Sequence, residues 1–148
     1  MTLTKLPLNR LLPFAGAIPF VFGAILLVLG IDRLWLIGET TIWLGAYGAV
    51  IASFMAGVHW GQHLSLSGRF KQLLPLSSNA AALLTWFSWV WLSFTAFLVI
   101  LALVFALLAL IDVALKREGV ITAEYLETRL IVSMLVIISL LVALIASV

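Results

Sequence analysis

The chain has no cysteine. That excludes disulfides, thiolate metal sites and a cysteine nucleophile. Charge is scarce too: Asp, Glu, Lys and Arg make up 9% of the 148 residues, against about a quarter in a soluble domain. No basic cluster with interleaved aromatics occurs and the net charge is only +2, so no nucleic-acid partner is expected. A phosphate loop, a serine–histidine–acid order and paired carboxylates are all missing from the sequence. Hydrolase or kinase chemistry of the soluble type is therefore not expected. No small-residue cleavage site follows a short apolar region at the N-terminus, so the first apolar segment reads as retained.

What is there is apolar: 65% of the chain is hydrophobic. A soluble core has no room for so much. The composition predicts an all-α integral membrane protein, a single domain over residues 1–148 with the lipid bilayer as its solvent. Five transmembrane helices are expected over about 13–31, 41–63, 73–92, 94–115 and 130–148, each near the roughly 20 residues that one crossing needs. The third and fourth come from one long tract, Leu73 to Leu115, whose only charge is Asp112. Ser93 and Thr95 are the best candidates for its turn, with Trp86, Trp89 and Trp91 as an interfacial belt beside it. Trp35 and Trp43 flank the polar loop of Asp32, Arg33 and Glu39 at the same kind of depth. Pro13 suits a helix start, and Gly119 suits the end of the fourth helix. Thr122 to Tyr125 does not complete a capping box, so the polar loop from Lys116 to Thr128 has room for a short interfacial helix but no marked start for one.

Basic residues set the expected orientation. Lys5, Arg10, Arg69, Lys71, Lys116, Arg117 and Arg129 fall on one side of this topology and only Arg33 on the other. Positively charged loops stay cytoplasmic. The N-terminus is expected inside and the C-terminus outside.

The second span organises the rest. Gly45, Ala49, Ser53, Gly57 and Gly61 recur every fourth residue and are read as a helix-packing ridge. Gly48, Ala52 and Ala56, continued by His59 and His63, form a second ridge beside it. Small residues at this spacing let helix backbones approach closely in a bilayer. Gly16, Gly23 and Gly30 of the first span, seven apart, read as a groove that receives the second.

The polar groups are expected at one depth. The topology brings His59, His63, Ser77, Ser78, Asn79, Asp112 and Arg129 to the inner half, and leaves the outer half nearly apolar. Asp112 is expected to pair with Arg129, or with Lys116 on its own helix. His59 is expected to bond a carbonyl or Asn79. His59 and His63 stand four apart, the spacing of a two-histidine metal pair. A metal needs a third ligand, Asp112 is the sole carboxylate at similar depth, and no metal is assigned. His59, Trp60, His63, Asp112 and Arg129 are instead read as lining a ligand or proton site open to the inner leaflet. Haem on a single axial histidine and a quinone held by His59 and Trp60 are the cofactors considered.

Tyr47-Gly48-Ala49-Val50-Ile51, running through Ser53-Phe54 to Gly57-Val58-His59-Trp60-Gly61, resembles the signature of the transmembrane protein 69-like family, whose bacterial members are known as domain of unknown function 3429. Gly16-Ala17-Ile18-Pro19-Phe20, Trp86, Asp112 and the run from Tyr125 to Arg129 sit in a similar order. Where that pattern has a proline-serine pair opening the third span, this chain has Ser78-Asn79. The resemblance implies a small multi-span protein of the bacterial inner membrane or the mitochondrion, and no catalytic residue. The functional expectation is a non-enzymatic accessory or assembly subunit working with other membrane-protein subunits. The alternative is a quinone-, haem- or proton-handling protein using the site around His59.

Overall fold

A computed structural model describes residues 8–148 of the chain. The basic arm around Lys5 lies outside the described residues. Five helices follow one another: α1 (Leu8–Val28), α2 (Thr40–Gln62), α3 (Arg69–Trp91), α4 (Phe94–Arg117) and α5 (Ala123–Ala146). Between α1 and α2 stands a two-stranded antiparallel hairpin, β1 (Arg33–Leu34) and β2 (Gly38–Glu39). A 3-10 turn over His63–Ser65 closes α2. Four of the five helices, α1, α2, α4 and α5, are long and apolar enough to cross a membrane.

The helix ends follow local chemistry. After α1, Gly30 takes a φ of 68°; its N–H donates to Leu27 O at 3.1 Å and the Ile31 N–H to Leu26 O at 2.9 Å. After α4, Gly119 takes a φ of 75°; its N–H donates to Lys116 O at 3.0 Å and the Val120 N–H to Leu115 O at 2.9 Å. Both pairs of bonds satisfy carbonyls that a helix end leaves open, with glycine in the left-handed conformation that costs it nothing. Gly30 is thus a stop for α1, not part of a groove toward α2. Of the three glycines at seven-residue spacing, Gly23 is the one whose added Cβ would press on α2, 2.8 Å from a Leu44 methyl, while Gly16 meets α2 through its carbonyl. Ser93 caps α4 by accepting from the Ala96 N–H at 3.3 Å, so the turn in the long apolar tract falls where its hydroxyls predicted. Thr122 caps α5 by accepting from the Tyr125 N–H at 3.2 Å. The single cap suffices without a box, and α5 begins well before the expected start near 130. Pro13 lies inside α1 rather than opening it.

Two helices organise the bundle. α2 packs against α1, α3 and α4, and α4 against α2, α3 and α5. The main core lies here: Leu44, Ala52 and Ala56 from α2, and Phe97, Leu101 and Leu108 from α4. Phe20 of α1 is wedged edge-on between Tyr47 at 5.2 Å and Phe105 at 5.7 Å. The Tyr47 hydroxyl donates to Gly16 O at 2.8 Å, tying α2 to α1. The Ser78 hydroxyl donates to Ala56 O at 2.6 Å, tying α3 to α2.

The ridges of small residues separate sharply. Gly48, Ala52, Ala56 and His59 are buried. On the other ridge Gly45 is buried and Ala49 partly so, but Ser53, Gly57 and Gly61 are exposed, and a Cβ at Gly57 or Gly61 would meet nothing within 4 Å. The reason is the pitch: a step of four residues turns about 40° beyond a full turn of an α-helix. A ridge carried over four such steps winds off the inward face. At Gly45 the fit is tight, because an added Cβ would overlap the Trp89 ring. Trp89 accordingly points inward, 5.0 Å edge-on to Phe97, instead of joining an interfacial belt. Trp86 and Trp91 do stand exposed, packed with Phe87.

Gly45→Ala should therefore destabilise the protein by about 1–3 kcal/mol, the usual cost of forcing volume into a packed site. Gly57→Ala should be neutral or stabilise by up to about 1 kcal/mol, since it only relieves a helical glycine. Thermal unfolding of both variants in detergent checks the opposite signs.

Candidate functional site

Helix α4 carries one acid into the bundle, Asp112, and it is fully buried. An unpaired charge there would be costly, so each carboxylate oxygen takes a partner from a different helix. Oδ2 accepts from Arg129 Nε of α5 at 2.8 Å. Oδ1 is bonded by His59 Nε2 of α2 at 2.8 Å. The expected Asp112–Arg129 pair is present, while His59 bonds the acid itself rather than Asn79. Arg129 Nη1 also donates to Met55 Sδ, one turn before His59. His59 is wholly enclosed.

The pattern of bonds fixes the tautomer. A carboxylate offers only acceptors, so His59 Nε2 carries the hydrogen and donates it. Nδ1 is buried and has no hydrogen-bond partner. The Asp112 carboxylate and the Arg129 guanidinium cancel one another in charge.

Beside the triad lies a cavity of about 340 Å³ between α1, α2, α4 and α5. Its walls are mainly apolar and include Pro13, Ile51, Phe54, Val58 and Phe105. Tyr125, Arg129 and Ser133 of α5 also line it. Their four-residue spacing puts them on one face of the helix, which exists only because Thr122 starts α5 early enough to include Tyr125. Asp112 and Met55 use two of the five N–H donors of Arg129. The Tyr125 hydroxyl makes no hydrogen bond with the described residues.

The five residues expected to share a pocket divide. His59, Asp112 and Arg129 come together, but only Arg129 reaches the cavity. Trp60 and His63 do not line it. Trp60 stands 45% exposed on the other side of α2. His63 belongs to the 3-10 turn, where Nδ1 meets Trp60 O and the two rings lie edge to face at 5.0 Å. The four-residue spacing from His59 stops meaning a shared face because α2 ends at Gln62. No group of three metal-ligating side chains forms among the described residues. A haem axial site does not fit either: His59 Nε2 is held by Asp112 and the ring does not reach the cavity. Sequence reasoning missed Tyr125 as a cavity residue, having left it outside the helix. It also missed a second cleft at the hairpin end, where Asp32, Thr41, Ser93, Thr95 and Ser147 gather, so that half is less apolar than expected.

A helical bundle with four helices of membrane-crossing length, locked inside by a histidine–acid–arginine triad, is the class of protein that these features define. The chain belongs to the family described as Protein of unknown function (DUF3429), whose model matches residues 7–145. Searches of curated proteins and of solved structures find no match.

Breaking a buried pair on one side costs about 3–5 kcal/mol, because the other charge is left alone. Asp112→Leu and Arg129→Met should each destabilise on that scale. The double variant should lose clearly less than the sum, since no orphan charge remains. Denaturant unfolding of the three variants in detergent measures the coupling.

Proposed function

We propose that the chain is an integral membrane protein of five spans that holds a lipid-soluble small molecule in the cavity beside Arg129. The cavity carries this reading: it has the size of a ligand pocket, mostly apolar walls and a few convergent polar groups. The fifth span in this reading is α3. Its 23 residues match one crossing. It buries Ser78, Thr85 and Ser88 and exposes Leu76, Leu83, Trp86 and Val90, with Asn79 the one exposed polar residue over that stretch. Arg69, Lys71, Lys116 and Arg117 lie at one end of the bundle and Arg33 at the other. That bias supports a cytoplasmic N-terminus in a bacterial inner membrane. Because the chain lacks cysteine, Ser147→Cys gives a clean probe of topology. It should be labelled from the outer face only; labelling from the cytoplasmic face alone would overturn the orientation.

The binding reading is tested by extraction. Protein purified in mild detergent should release a near-stoichiometric small molecule into organic solvent. Gly16→Leu should abolish it, because Gly16 lines the cavity and a Cβ there meets nothing within 4 Å, so a larger side chain starts out into the open space. An extract indistinguishable between wild type and variant would reject a bound ligand.

A second reading, an accessory or assembly subunit of a larger complex, is favoured by the open ridge of Ser53, Gly57 and Gly61. In a bilayer such a ridge admits the close approach of a helix from another subunit. Under this reading Gly57→Leu leaves the isolated chain folded but releases it from a larger assembly on a native gel. Identical migration of wild type and variant would count against it.

A further inference from the structure

We infer that the occupant of the cavity is a neutral molecule with an apolar tail and a planar, carbonyl-bearing head, a quinone-type ring. The inference rests on the cavity being a binding site, and it is drawn from the pairing of Asp112 with Arg129 and the chemistry of the walls.

Arg129 at the cavity wall looks like a receptor for an anion, and it is not one. Its charge is cancelled by Asp112 at 2.8 Å. An anionic head beside this neutral Asp112–Arg129 pair would leave net negative charge inside an apolar bundle, where solvation is poor. A cationic head would meet the guanidinium first. A neutral head avoids both penalties.

The donors point the same way. The remaining N–H groups of Arg129 and the Tyr125 hydroxyl stand one turn apart on α5, and a further hydroxyl, Ser133, follows one turn later. Each can donate, so a head with acceptor oxygens is matched along this line. Phe54, Phe105 and Tyr125 supply aromatic walls, which pack better against a flat ring than against a glycerol ester. The apolar remainder, including Leu12 and Val136, suits a short length of hydrocarbon tail.

The test is calorimetric titration of the full chain in detergent with three probes: a short-tailed benzoquinone, oleate and a diacylglycerol. The benzoquinone should bind with a defined stoichiometry, and the other two should show only partition into micelles. Tyr125→Phe, which removes one donor and leaves the triad whole, should weaken quinone binding by roughly 2- to 10-fold. Gly16→Leu should abolish it with the melting temperature retained, which separates occlusion from misfolding. Saturable binding of oleate or the diacylglycerol, lost in Gly16→Leu, with none of the quinone would overturn the neutral-ring inference and leave the binding reading standing. Equal heats for wild type and Gly16→Leu with all three probes would overturn both. Unchanged quinone affinity in Tyr125→Phe would overturn the proposed contact.

Discussion

Everything inside this bundle is arranged around one carboxylate. Asp112 is fully buried on the central helix and accepts bonds from His59 and Arg129 on two different neighbours. A lone charge at that depth would be far costlier than any packing defect, so α2, α4 and α5 cannot slide or rotate independently. The bonds fix rotation as well as contact. His59 presents Nε2, which leaves Nδ1 without a partner, and Arg129 presents Nε while its side chain also lines the cavity. The polar part of the cavity wall is thus tied to how the acid is neutralised.

The bonds around this core make the bundle more than a sum of apolar faces. Tyr47 to Gly16 and Ser78 to Ala56 each join a hydroxyl to a backbone carbonyl of a neighbouring helix. Thr85 and Ser88 instead bond carbonyls of their own helix, Ala81 O at 2.8 Å and Thr85 O at 2.9 Å. In this way the buried hydroxyls of α3 are all satisfied, while the amide of Asn79 stands exposed on its outward side.

Much of this architecture was legible in the sequence, and the failures have physical causes. Turns marked by glycine or a hydroxyl, at Gly119 and Ser93, fell where expected because capping is local chemistry. The Asp112–Arg129 pair was legible because a buried acid has few partners to choose from. Rotation about helix axes was not. Counting every fourth residue from Gly45 drifts around the helix, so Gly57 and Gly61 turn outward while Gly48 and Ala56 stay in. Trp60 lies about 100° from His59 on the same helix, enough to put one in the core and the other outside it. The cavity itself was invisible, since it needs Tyr125 to be helical and four helices to leave a gap that no single segment encodes.

The small hairpin between α1 and α2 has a mechanical consequence. Arg33 pairs with Glu39, and Thr40 fastens the base through Asp32 O at 2.8 Å and Ile31 O at 2.7 Å. Trp35 at its tip is 95% exposed, with Leu36 at 84% beside it. In the proposed membrane setting, an indole on a braced stalk would behave as a fixed float: it would seek the lipid–water boundary, and the stalk would transmit that preference to the two helices it joins. In a bilayer thinner or thicker than the bundle, the float and the helix ends cannot both sit at their preferred depth. The strain falls on the tilt of α1 and α2, the pair whose other ends flank the cavity.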